Sequence, residues 1–278
     1  MSDVLTYAYA VVRVAEGLQE AAAPLRGVAG APVGLVTDTG DDQMGLVVSH
    51  VPAQDFREDA LKRHLEDLEW LEAVARAHHG VIEALAECTT VLPLRLATVY
   101  LDDQRAREVL EAGWTVFAER LARLSEHVEW GVKIYVEPSA VPAAPAVPAA
   151  DLTPGRAYLR NRRQQQSVRD TVYQAAQKAA ERVEAAGRKH ASDRVRHRVQ
   201  QGFLAEVAGS AAGAGAGENV VNDAYLVPLK RCDDFLADVT RAAEGLDGVR
   251  IEATGPWAPY SFAMPPGEAG GAADGAPP

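Results

Sequence analysis

Apolar positions along the first half of the chain change period several times, and each change marks an element. Leu5 to Val12 is a run of aromatic and branched residues closed by Arg13, Glu16 and Gly17, which predicts an opening strand. Pro32–Thr37 and Gln43–Val51 are two further strand-like runs around Asp38-Thr39-Gly40-Asp41-Asp42, so an antiparallel hairpin is expected. Leu61, Leu65, Leu68, Leu71, Ala75, His78, Ile82 and Leu85 then recur at spacings of three and four, predicting one long helix with Asp55 as its cap and Glu58 three residues on. Val91–Leu101 reads as a strand. Asp102–His127 returns to helical spacing through Val109, Leu110, Trp114, Phe117, Leu121 and Leu124, and Val128–Val136 reads as a strand closing the unit. This order is that of an α+β domain whose antiparallel or mixed sheet is covered by helices.

The second half opens on Pro138–Pro148, a proline and alanine tract with no apolar face, which reads as a semi-rigid linker. Tyr158–Glu184 and Ser192–Val207 follow as two long helices separated near Gly187, with thin stripes that suit pairing with each other. Beyond the flexible run Gly209–Gly217, Asn219–Val227 is a strand, Cys232–Glu244 a helix and Val249–Thr254 a strand. The expected organisation is an N-terminal α+β domain at 1–137, a linker at 138–153, a C-terminal domain of long helices plus a small sheet at 154–264, and a disordered tail at 265–278.

Composition narrows the class. With 278 residues, 47% apolar and 24% charged, the chain suits a soluble protein of two domains. No uncharged apolar run approaches the roughly 20 residues of a membrane span, and no secretory signal is recognised, so the expectation is a cytoplasmic protein with no membrane partner. Cys88 and Cys232 lack ligand spacing and read as buried reduced thiols. Net charge is −11, yet twelve Lys or Arg face only four acids between Arg156 and Phe203, a local +8 that leaves −19 elsewhere. A basic helical stripe can neutralise phosphates, so a nucleic-acid-binding regulator using helices 156–203 is the alternative reading. No base-reading motif accompanies it, and pairing with the acidic domain or an acidic partner is preferred.

Candidate chemistry is sparse. His78 and His79 diverge by about 100° on a helix, and only His78 joins the apolar stripe, so it reads as a packed or interfacial histidine and no metal site is expected. The glycine run lacks the Gly-Lys-Ser/Thr ending of a phosphate loop. Arg95 is a lone cation in an apolar strand, read as half of a structural ion pair, with a partner-facing role as the alternative. Asp102 and Asp103 suit the start of the following helix better than a catalytic pair. No locally spaced Ser, His and Asp set appears; an enzyme using a cross-domain site ranks below the other readings.

Three segments carry a family signature: Leu92-Pro93-Leu94-Arg95-Leu96-Ala97-Thr98-Val99-Tyr100, Glu129-Trp130-Gly131-Val132-Lys133-Ile134-Tyr135-Val136, and Thr254-Gly255-Pro256-Trp257-Ala258-Pro259-Tyr260-Ser261-Phe262. With Pro154–Leu159 and Asn222–Val227 in order, the chain resembles the gas vesicle accessory proteins of the GvpF/GvpL family. It departs from them at Leu96-Ala97, where the family more often has Phe-Gly. The resemblance implies two domains related to ferredoxin-like arrangements. It also implies a non-enzymatic, chaperone-like role in gas vesicle assembly without cofactors, in contact with the small hydrophobic shell protein and other accessory proteins. A β-rich shell subunit is expected to meet the edge of the N-terminal sheet around Leu94, Arg95, Thr98 and Tyr100. Pro93, Trp130, Gly131, Trp257, Pro259 and Tyr260 are expected to be structural.

Overall fold

The computed structural model describes residues 3–37, 44–64, 66–137, 154–199 and 217–263. The chain divides into two compact units, residues 1–128 with 257–278, and residues 129–256. The turn at 38–42, the Pro138–Pro148 tract, all but the last residue of the Gly209–Gly217 run, and the tail lie outside the described residues.

The first unit is built on β1 (Val4–Arg13), β2 (Gly34–Thr37), β3 (Met44–Pro52), β4 (Val91–Pro93) and β5 (Val99–Tyr100). The order is β2-β3-β1-β4, with β5 beside β1, and every pairing is antiparallel. Short helix α1 (Leu18–Ala22) lies between β1 and β2 in sequence; α2 (Ala53–Phe56), α3 (Glu58–His64) and α4 (Leu68–Ala86) lie between β3 and β4. That is the β-α-β-β-α-β arrangement of a ferredoxin-like sheet. Two helices, α5 (Asp103–Ala112) and α6 (Trp114–Leu124), follow β5.

Residues 5–12 of β1 are all buried, which explains why this strand reads as continuously apolar instead of alternating. Tyr7, Tyr9, Val47, Ile82 and Leu85 are fully enclosed in the core. The long helix expected from residue 61 is two helices. Asp67, not Asp55, caps α4, its carboxylate accepting from the amides of Glu69 and Trp70 at 3.1 and 3.2 Å. Leu68 is left on the surface, and Asp55 sits inside α2. Asp102 caps α5 through the Arg105 amide at 2.8 Å, as expected of a carboxylate there.

The second unit contains β6 (His127–Val136), α7 (Pro154–His190), β7 (Asp193–Arg196), β8 (Glu218–Pro228), α8 (Cys232–Arg241) and β9 (Val249–Trp257), with sheet order β7-β8-β6-β9. Strand, helix, two strands, helix, strand in that order repeats the topology of the first unit. Two expectations are corrected here. The strand at 128–136 lies inside the second sheet between β8 and β9, where its buried Val132, Ile134 and Val136 find their partners, so it does not close the first unit. Ser192–Val199 is not helical: Asp193–Arg196 pairs antiparallel with Asp223–Leu226.

Gly187 does not end a helix. A Cβ there would lie 2.4 Å from a ring carbon of Tyr225, so glycine lets α7 press against β8. The thin stripe of Val172, Ala176, Ala179, Val183 and Ala186 is buried in this unit, its small side chains suiting close approach to a sheet. Both cysteines are free, but Cys88 is exposed and Cys232 half-buried, contrary to the buried thiols expected. No helix among the described residues is long and apolar enough to cross a membrane.

Candidate functional site

The sequence Leu92–Tyr100 does not run as one strand. After β4 the chain leaves the sheet at Leu94 and rejoins it at Val99. The excursion is tied to β1 by Leu94 N–H to the Tyr9 carbonyl and by Ala8 N–H to the Thr98 carbonyl, both at 2.9 Å. Opposite it, the β1–β3 register shifts between Ala8 and Ala10, a bulge that locally re-aims side chains. Ala97 adopts φ 62, and its amide donates to the Tyr7 hydroxyl at 3.1 Å. The same hydroxyl meets His78 Nδ1 at 3.0 Å.

His78 is 4% exposed, and burial, partly offset by the Leu94 backbone, pushes its pKa down to about 4. Burial also pushes Tyr7 well above the ordinary phenol range. Tyr9 hydroxyl accepts from Val28 N–H at 2.8 Å, and the Tyr7, Tyr9, Phe56 and His78 rings meet at centroid distances of 5.0–5.8 Å. A hydrogen-bonded aromatic cluster therefore holds the floor under the excursion.

Above this floor lies a cleft of about 330 Å³. Helix α4 contributes Ala75, His78 and His79, the excursion Pro93 to Leu96, and the closing segment Tyr260 and Ala263. His79 Nδ1 meets the Tyr260 hydroxyl at 2.9 Å and Nε2 meets Glu83 at 3.0 Å, with the Trp257 ring 5.6 Å away. Pro259 is buried, and Arg120 Nη1 holds the Ala263 carbonyl at 3.0 Å. The lining is chiefly apolar, with Leu96 exposed at its edge.

The expected site residues separate in this geometry. Leu94, Arg95, Pro93 and Tyr260 line one cleft. Arg95 is exposed on the excursion, so it is not an inward strand cation, and its carbonyl accepts from both the amide and the hydroxyl of Thr98 at 3.2 and 2.7 Å. Thr98 and Tyr100 are half-buried beside β1, off the cleft wall. Trp130 and Gly131 belong to the second unit. A Cβ on Gly131 would lie 2.9 Å from Thr254 Oγ1, so two signature segments over 120 residues apart in sequence meet as close neighbours. The meeting of His79 with Trp257 and Tyr260 had no local signal in the sequence. Among the described residues no three His, Cys, Asp or Glu gather into a metal site.

In the second unit the later part of the basic segment is engaged. Asp238 receives Lys189, His190 and Arg241 at 2.9, 2.8 and 2.5 Å, which holds its carboxyl far below the usual range. Arg182 caps the end of α8 through the carbonyls of Ala242 and Glu244, and Arg194 pairs with buried Asp223 at 2.7 Å.

The model of the family described as gas vesicle synthesis protein GvpL/GvpF matches residues 5–264. The chain belongs to that family. It is 43% identical over 264 residues to gas vesicle protein L of Streptomyces sp. strain CB03234, covering 94% of both chains. It is 28% identical to gas vesicle protein F of the same strain, over 71% of this chain and 80% of that one. In fold it is similar to the crystal structure of GvpF from Anabaena sp. PCC7120, with TM-score 0.59, 16% identity and coverage of 94% and 96%. GvpF from Microcystis aeruginosa gives TM-score 0.58 and 19% identity, with coverage of 94% and 99%. A role in gas vesicle formation follows from membership in the family.

Proposed function

We propose that the protein binds the small hydrophobic shell protein of the gas vesicle and helps nucleation or subunit delivery, without catalysis, and that the first-unit cleft seats an apolar side of that subunit. Shell subunits that pack around gas expose apolar surface before assembly and aggregate unless it is covered. The observation that carries the reading is the convergence of two signature segments, Leu92–Tyr100 and the closing Trp257–Phe262, on one apolar cleft with Leu96 exposed beside it. The seat moves from the sheet edge to this cleft, because the β4–β5 edge is broken by the excursion and offers only three and two consecutive strand residues. Other gas vesicle accessory proteins are proposed as further partners.

The test is co-expression of the full chain with the shell protein, reading the amount of shell protein left soluble and captured. Leu96→Glu and Arg95→Glu are each expected to lower capture about tenfold, a loss near 1.4 kcal/mol, while the melting curve of the chain stays in place. Equal capture by wild type and both variants sinks the cleft assignment. Absence of capture by the wild type sinks shell binding itself.

A further inference from the structure

Helix α7 spans 37 residues, and among the described residues the buried side chains lie in its later part. Among the described residues its first buried side chain is Val172, and its first polar ties are those of Arg169 and Tyr173, which meet Glu218 at 3.8 and 2.5 Å. Before them, residues 156–168 form about 20 Å of helix at 1.5 Å per residue. Every described side chain there is exposed except Gln164 and Val168, which are half-buried. The stripe that packs further on, through Val172, Ala176 and Ala179, continues backwards through half-buried Val168 into exposed Gln165, Asn161 and Tyr158.

On the other side of the same stretch, Arg156, Arg160 and Arg163 line up at spacings of four and three around Leu159, with Arg162 alongside. None of these four guanidinium groups has an ion pair or hydrogen bond among the described residues, whereas Arg169, Arg182, Arg188 and Arg194 on the same or the next element all do. Leu159, 53% exposed, lies between that row and Arg162. All basic residues from 154 to 177 are arginine. Arginine is enriched in protein interfaces, where lysine is depleted, and a guanidinium binds carboxylates in a two-point geometry that ammonium lacks.

We infer that the free amino-terminal stretch of α7 is a docking arm for an acidic amphipathic helix of a partner protein, its carboxylates engaging Arg156, Arg160, Arg162 and Arg163 and an apolar residue covering Leu159. Charge complementarity sets the sign of the partner, and Leu159 sets its class. A polyphosphate chain gains nothing from burying leucine, but a helix with apolar residues at three and four spacing does. This arm lies in the second unit and is independent of the first-unit cleft, so either assignment can fail alone.

The experiment uses the full chain and fluorescence anisotropy with two labelled probes, a synthetic Glu- and Leu-patterned helical peptide and a duplex DNA of similar charge, at about 50 and 300 mM salt. The peptide is expected to bind more tightly than DNA. Arg156→Ala/Arg160→Ala/Arg163→Ala lowers peptide affinity about tenfold or more, and Leu159→Ala lowers it several-fold while leaving DNA binding unchanged. Circular dichroism melts should show the fold intact in both variants, since the substituted side chains are exposed. Tighter binding of DNA, or peptide binding indifferent to Leu159 and to the arginines, overturns the inference.

Discussion

Ala97 and His78 show how single residues of the excursion carry stability. Ala97 holds φ 62, a left-handed conformation that costs an L-residue roughly 1–2 kcal/mol and glycine almost nothing. Ala97→Gly is expected to raise first-unit stability by about 1 kcal/mol, read as an upward shift in urea midpoint. His78 titrates near 4 when folded against an ordinary value of about 6.5. Between those values the unfolded chain binds more protons, so stability rises with pH across that window and falls on acidification through it. The loss by pH 4 is of the order of 3 kcal/mol, and His78→Gln should flatten this slope in melts at pH 5 and 7. His78 was legible as a packed histidine from its place on the apolar stripe. Its hydrogen bond to Tyr7 was not, because the two are 71 residues apart.

At the scale of elements, local chemistry was legible where a cap or a turn decides the boundary. Asp67→Ala removes two amide bonds at the start of α4 and is expected to cost about 1 kcal/mol in chemical denaturation. Helix α7 shows the limit. Gly187 reads as a break because glycine weakens a helix, yet a ring of Tyr225 occupies the space a side chain would need. Gly187→Ala should therefore destabilise the second unit by about 1–3 kcal/mol despite its better helix propensity, and an unchanged melting temperature would remove the packing argument. Asp238, held low by Lys189 and His190, contributes stability that is present above the ordinary carboxylate range of about 4 and lost as pH falls below it. Asp238→Asn should make the acid limb of a pH titration shallower, seen in near-UV circular dichroism.

For the whole molecule, the recurrence of one strand order in both units decides where the chain should be cut. β6 sits between β8 and β9, so a fragment beginning at 138 lacks an inner strand of its sheet. Such a fragment is expected to show no cooperative melt, whereas residues 126–257 should unfold cooperatively; equal behaviour of the two in differential scanning calorimetry would speak against the division. Hydrophobic period and end signals were enough to mark strands at 5–12, 44–51 and 219–227, helices in both halves, and the α+β class, because these depend on neighbours a few residues away. The same local patterns assigned β6 to the first unit and Asp193–Arg196 to a helix, both wrongly, and gave no sign that Pro93–Leu96, His79 and Tyr260 enclose one cleft. Those depend on pairings between segments dozens to nearly two hundred residues apart, where an apolar strand is equally satisfied by either of two sheets until the tertiary structure supplies its neighbours.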